Sequence, residues 1–277
     1  MREQFELAGG SVTGRNHLRI GKNNQDAYYG VCLENCSIAV VCDGCGSGNY
    51  SEVGAKIGAK LVVSAISKIV QDHPSPSEEM WEKVRQYILE TLQNLALAMD
   101  SNGTLFKTII RHYFLFTIVG VLITKTGVTI FSIGDGVIII NGKIKQLGPF
   151  AKNAPPYLAY SLFGNQDINP QFDDAQWQFQ IQKQLPINKV TSILIGTDGV
   201  IDLIKLAECN LPENSTCVGA ISQFWKKDIY FKNPDMVSKY LSLINRETQK
   251  YDSENQQILK QVGLLPDDTT LIVIRKK

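Results

Sequence analysis

Residues 36–45 read Cys-Ser-Ile-Ala-Val-Val-Cys-Asp-Gly-Cys, a short apolar run that stops at an acid and a glycine. The run has the length and β-branched content of a buried strand, and Asp-Gly is a turn dipeptide that ends it. The same pattern returns further along. Phe131-Ser132-Ile133-Gly134 runs into Asp135-Gly136, and Leu194-Ile195-Gly196-Thr197 into Asp198-Gly199. Asp267-Asp268 precede the apolar run Thr269–Ile274, and Asp26 precedes Ala27-Tyr28-Tyr29. A carboxylate beside a buried strand is costly unless paired, hydrogen-bonded or metal-bound. Acids converging at one sheet end point to hard dications with oxygen ligands, Mg²⁺ or Mn²⁺. Any single Asp-Gly reads more readily as an ordinary turn than as a functional acid. The recurrence carries the argument, and only as far as a divalent-metal site.

Outward from these strands, Ser51 to Val70 places Val53, Ile57, Leu61, Ala65 and Ile69 on one helical stripe, with Ser51 as N-cap and Glu52 in the first turn. A second helix is expected over Ser77 to Met99. Tyr113 to Thr124 and Val128 to Ile133 read as strands, and Val137 to Ile140 meets Asn141-Gly142, a hairpin signal. Asn233 to Tyr251 reads as helix and Thr269 to Ile274 as a closing strand. Strands, two helices, more strands, one helix and a strand predict antiparallel sheets covered by helices, the α+β class. With no repeat and no linker-like composition, residues 1–277 read as one domain.

The charge is +1, from 28 basic and 27 acidic residues, so no global field favours nucleic acid or an anionic membrane. The longest apolar run, Tyr113 to Ile123, is too short to span a bilayer, and the first residues lack a signal-peptide pattern. A cytoplasmic protein is expected. Six cysteines do not make a disulfide scaffold. Cys42 and Cys45 form a CxxC without a second close pair, so reduced core thiols are favoured over zinc or redox chemistry. His73 and His112 read as surface or packing residues.

The segments GRNHLRIGKNNQDA (14–27), VVCDGCGSGNYSEVGA (40–55), FSIGDGVIII (131–140), LIGTDGV (194–200) and PDDTTLIVI (266–274), in this order and spacing, resemble the protein phosphatase 2C family, closest to its compact bacterial branch. The resemblance implies an α-β-β-α sandwich of two antiparallel sheets flanked by helices. It implies a binuclear Mg²⁺/Mn²⁺ centre, with a third, looser ion. Asp43 matches the acid bridging both ions, the Gly44 carbonyl an adjacent ligand, and Asp198 and Asp267 the remaining direct ligands. Asp26 matches the acid of the first motif, Asp135 the acid associated with the looser ion, and Asp268 a supporting position where Asn is frequent. Asp26, Asp43 and Asp198 form the expected catalytic set. The implied reaction is hydrolysis of phosphoserine or phosphothreonine in proteins by an activated water, opposing a Ser/Thr kinase, with no phospho-enzyme. A monomer is expected.

The chain departs from the family pattern in three places. Gln25 stands where the family has Glu, and Gly21 where many members carry a phosphate-gripping arginine. Arg19 is the expected replacement, because a guanidinium fork suits phosphate, with His17 beside it. Cys45 stands where many members place a histidine that protonates the leaving alcohol. These departures keep open a pseudophosphatase that binds phosphoproteins without turnover. Residues 150–175 match the family's variable flap, with Tyr157 to Tyr160 and Phe163 read as its anchor.

Overall fold

Alternation along the strand Cys36–Asp43 serves two cores at once. Ile38, Val40 and Cys42 join a core shared with helices, whereas Ala39 and Val41 join a core between two sheets. Both faces are apolar because both are covered, which is why the run reads as continuous. The computed structural model describes residues 1–72, 76–163, 174–212, 215–253 and 255–277; His73 and residues 164–173 of the segment expected to form a flap lie outside them.

The strands are β1 (Phe5–Val12), β2 (Asp26–Cys32), β3 (Cys36–Asp43), β4 (Ile118–Thr124), β5 (Val128–Ile133) and β6 (Gly136–Ile140). They continue as β7 (Lys143–Leu147), β8 (Gln180–Leu185), β9 (Ser192–Gly196), β10 (Thr248–Asp252), β11 (Gln257–Gln261) and β12 (Thr269–Lys276). The helices are α1 (Arg15–Arg19), α2 (Ser51–Ile69), α3 (Glu78–Met99), α4 (Phe106–Tyr113) and α5 (Gly199–Lys205). Three more follow: α6 (Gln223–Lys226), α7 (Ile229–Lys232) and α8 (Met236–Ile244).

Two five-stranded sheets, ordered β1-β12-β9-β6-β7 and β2-β3-β4-β5-β8, pair antiparallel throughout. Val41, Val121, Ile138, Ile195 and Ile272 fill the space between them. Helices α2 to α4 cover the second sheet and α5 to α8 cover the first. This is the expected α+β sandwich with helical outer layers. The Asn141-Gly142 turn joins β6 to β7 with φ of 49° and 82°, as a two-residue hairpin requires. Ser77 caps α3, its side chain accepting from the Met80 amide at 3.2 Å.

Four local expectations change. The buried face of α2 is Gly54, Ala55, Gly58, Ala59, Val62 and Ala65 among others, while Val53 is exposed. Small residues win that face because the helix lies too close for side chains: a Cβ on Gly58 would meet the Phe116 ring at 2.4 Å. The N-cap of α2 is Tyr50, not Ser51. Tyr113 ends α4 instead of opening a strand, since the apolar run continues from helix into β4 without polar punctuation. The last helix stops at Ile244, and Thr248–Asp252 pairs with Gln257–Gln261 as an exposed hairpin. No described helix is long and apolar enough to cross a membrane.

Candidate active site

Strand register alone brings the first two acids together. In the β2–β3 ladder Asp26 lies directly opposite Asp43. Asp43 is two residues beyond Val41, so alternation turns it toward the gap between the sheets, at its open end. Like charges directly opposed in a ladder are destabilising. The facing sheet answers one of them: Thr197, one residue past β9, donates its hydroxyl to Asp26 Oδ2 at 2.6 Å. Asn24 Oδ1 accepts the Asp26 amide at 2.9 Å, and Thr117 Oγ1 accepts the Asp43 amide at 3.2 Å.

The other acids arrive from the ends of neighbouring strands. Asp198 follows Thr197 and caps α5, and Asp267 and Asp268 immediately precede β12. Asp135 sits between β5 and β6 in a turn whose flanking glycines, Gly134 and Gly136, have φ of 89° and 141°. Those left-handed values favour glycine on both sides of the acid. The six carboxylates grade by depth. Asp26, Asp135 and Asp268 are buried, Asp43 and Asp198 half-buried, and Asp267 exposed.

Their electrostatics are one-sided. Burial first, then the charges of Asp26, Asp198, Asp267 and Asp135, hold the Asp43 carboxyl well above its ordinary value. Burial pushes Asp26 up strongly, aided by Asp268 and Asp198 and opposed by the Thr197 hydrogen bond. Asp198 is pushed up to about 6 by burial and by Asp267 and Asp135. Burial raises Asp135 and Asp267 as well, and the nearby His17 pulls Asp267 back down. No described lysine or arginine is among the groups that offset these charges. Carboxylates that raise one another and lack a cation fit dications; among the described residues, the group with donor atoms within 4.8 Å of one another is His17, Asp267 and Asp268.

Asp268 works differently. It accepts the amides of Gly14 at 2.7 Å and Gln25 at 2.6 Å, tying the first motif to the start of β12. His17 Nδ1 lies 2.9 Å from its Oδ2, a contact of ion-pair rather than hydrogen-bond geometry. Gln25 is buried, its amide donating to Ser51 Oγ and, at 3.5 Å, to the Gly48 carbonyl. Gly44 sits against the Ser51 and Gln25 carbonyls and donates its amide to the latter at 3.1 Å. Arg19, two residues along α1 from His17 and so roughly 200° round the helix, is exposed. The two expected phosphate contacts therefore leave α1 in nearly opposite directions.

Tyr157, Leu158, Ala159 and Phe163 are buried in the core under α2 and α3, which is anchoring. Tyr157 also reaches the site: burial, the adjacent Cys45 and the charge of Asp43 push its hydroxyl far up. Cys45 Sγ lies 3.1 Å from Ser47 Oγ, and Cys42 is fully buried. All six cysteines are free, and no metal-type cluster among the described residues contains one. His112 Nδ1 accepts the Asn49 amide at 3.4 Å, a loop contact. Sequence reasoning missed Thr197, Thr117, Asn24 and Tyr157. Thr197 adjoins a quoted acid and was findable; Tyr157 is read from sequence only as a flap anchor, and nothing local points it toward Cys45 and Asp43.

The site is thus an acidic cluster at one end of a helix-covered double sheet. A family profile for protein phosphatase 2C matches residues 13–228, and the chain belongs to that family, which is metal-dependent. A bacterial serine phosphatase bearing an arginine-to-glutamate substitution is 15% identical with a TM-score of 0.51, covering 99% of this chain and 98% of that one. Its arginine-to-alanine form is 13% identical with a TM-score of 0.50, covering 98% of each chain. A C. elegans sex determining protein is 12% identical with a TM-score of 0.52, covering 98% of this chain and 64% of that one. At these identities the structures share the fold. No curated protein matches the chain significantly.

Proposed function

We propose that the chain is a protein serine/threonine phosphatase that hydrolyses phosphoserine and phosphothreonine at a binuclear Mg²⁺ or Mn²⁺ centre. The observation that carries this is the Asp26–Asp43 cross-strand pair: opposed carboxylates, both raised, ringed by further acids and unanswered by a described cation. Asp43, the Gly44 carbonyl, Asp198 and Asp267 would hold the ions, being the half-buried or exposed donors, apart from Gly44. Asp135 would serve a third, looser one. When bound, the cations supply Lewis acidity, lowering the pKa of water toward neutrality and offsetting phosphoryl charge.

The chain's own residues do the positioning. Thr197 locks Asp26 in one orientation through its 2.6 Å hydrogen bond, and Asp268 fixes the Gly14 and Gln25 backbone. His17, which faces Asp268, is the group proposed to meet the phosphate, since Arg19 leaves α1 on the opposite side; Tyr157 lies beside Cys45. Residues 1–277 act as one phosphatase domain, with 150–175 as the flap beside the site. The partners are phosphorylated proteins, substrates of a Ser/Thr kinase, met by a monomer in the cytoplasm.

The test is hydrolysis of a phosphothreonine peptide and a matched phosphotyrosine peptide with Mn²⁺ or Mg²⁺. Activity on the first, abolished by EDTA, is expected; none under any dication overturns the reading. A pseudophosphatase that binds phosphoproteins is the competing reading. It draws on Gln25, whose amide is committed to Ser51 and Gly48, and on the thiol at Cys45. It predicts weak or absent Mn²⁺ binding by calorimetry.

A further inference from the structure

We infer that His17 is a nitrogen ligand at the edge of the metal centre, biasing it toward transition-metal dications over Mg²⁺. The inference rests on the phosphatase reading and deepens it by naming the metal class. His17, Asp267 and Asp268 each place one donor atom within 4.8 Å of the others, and they are the group of three or more such donors found among the described residues. Two ligands on opposite sides of an ion with bonds of roughly 2.1 Å are about 4.2 Å apart, and two at right angles about 3.0 Å apart. The 2.9 Å between His17 Nδ1 and Asp268 Oδ2 matches the second.

Two further observations point the same way. The Nδ1 atom is buried yet makes no hydrogen bond, so a group that needs a partner is held facing a carboxylate without one. The short helix α1 buries none of its own residues, so no core contact explains its position. It is tied instead to the segment ahead of the acids. Arg15 donates its amide to the Leu265 carbonyl at 2.9 Å and its guanidinium to the Gly263 carbonyl at 3.0 Å; the Asn16 amide reaches Pro266 at 3.1 Å. The effect of that tether is to hold an imidazole against Asp267 and Asp268.

The chemistry then discriminates between ions. An all-oxygen site suits Mg²⁺, whereas imidazole suits metals toward the right of the first transition row. A nitrogen at this edge raises affinity most for Zn²⁺, Co²⁺ and Fe²⁺, and least for Mn²⁺ and Mg²⁺, which oxygen donors suit. Asp268, held by two amides, fixes its Oδ2 beside the ring nitrogen, and Asp267 offers the third donor.

The experiment uses the full chain in wild-type, His17→Ala, His17→Gln and Asp43→Ala forms. Electron spin echo envelope modulation of the Mn²⁺-loaded wild type should show directly bound ¹⁴N, lost in both His17 variants. Calorimetry should show His17→Ala lowering Co²⁺ affinity about tenfold while Mg²⁺ affinity changes by less than about threefold. Absence of ¹⁴N coupling in the wild type, or an unchanged Co²⁺ to Mg²⁺ ratio in His17→Ala, overturns the inference. If His17 meets phosphate only, its variants raise KM with metal binding intact, which also overturns it. Failure of the wild type to bind either ion sinks the phosphatase reading itself. Metal binding that Asp43→Ala abolishes and His17→Ala leaves alone sinks only this inference.

Discussion

The two ends of β12 carry charge in opposite ways. At its far end Arg275 answers two acids: Nε meets Glu6 Oε1 and Nη2 meets Asp228 Oδ1, each at 2.7 Å. The guanidinium also lies 4.0 Å from the Phe231 ring centre and donates to the Trp225 carbonyl at 3.2 Å. Hydrogen bonding and charge from Arg275 hold Asp228 below its ordinary value. At the near end, Asp267 and Asp268 open onto a cluster in which carboxyls are pushed up and no described lysine or arginine intrudes. One strand of about 25 Å thus joins a neutralised cluster to one left for a cation from solution. The first is an ordinary structural ion-pair network. The second costs the free chain stability and is explained by what it binds.

The comparison breaks first at the acids. Asp43→Ala should abolish Mn²⁺-dependent turnover of a phosphothreonine peptide, a loss of about a thousandfold or more in kcat. It should leave the Arg275 cluster and the far-ultraviolet circular dichroism unchanged.

The next difference appears without metal. Asp198 titrates near 6 in the folded chain against an ordinary 3.8, so the folded state binds protons more tightly than the unfolded one. A raised carboxyl contributes stability that is fully present below about pH 4 and lost as pH rises through the folded value. In EDTA the melting temperature should therefore fall by about 5 °C between pH 5 and pH 7.5. Asp43→Asn should flatten that slope, and saturating Mn²⁺ should reverse the fall. A slope unchanged in Asp43→Asn would show that the cluster is not its source.

Two smaller effects sharpen the contrast. Thr197→Val removes the hydroxyl that orients Asp26, and kcat should fall about tenfold with about 1 kcal/mol of stability lost. Arg275→Ala should cost about 1–2 kcal/mol in urea unfolding through lost stacking and pairing, with kcat and metal affinity unaffected. If Arg275→Ala altered metal affinity, the two ends of β12 would not be independent.

The site was more legible than the frame around it. Asp43, Asp135 and Asp198 were readable because an acid interrupting an apolar run is locally conspicuous, and the hairpin at Asn141 because its dipeptide is. Depth was not readable: nothing local distinguishes buried Asp268, fixed by two backbone amides, from exposed Asp267 beside it. The edge strand β8, Gln-Ile-Gln-Lys-Gln-Leu, lacked any apolar run, and β10 and β11 are largely exposed and polar, so neither announced itself. The stripe on α2 misled because close helix packing selects glycine and alanine, which hydrophobic periodicity ranks low. The direction of His17 came from α1 being tied to residues 263–266, a contact between opposite ends of the sequence.

That same tie sets the order in which the molecule can become competent. β12 lies between β1 and β9, so a strand formed after residue 268 separates the first strand from the rest of its sheet. Until it arrives, β1 has no neighbour, and the first motif lacks the carboxylate that gathers Gly14 and Gln25. A chain still being made therefore holds Asp26 and Asp43 without the partners that finish the pocket. Synthesis itself acts as a latch, released only when β12 slots into place.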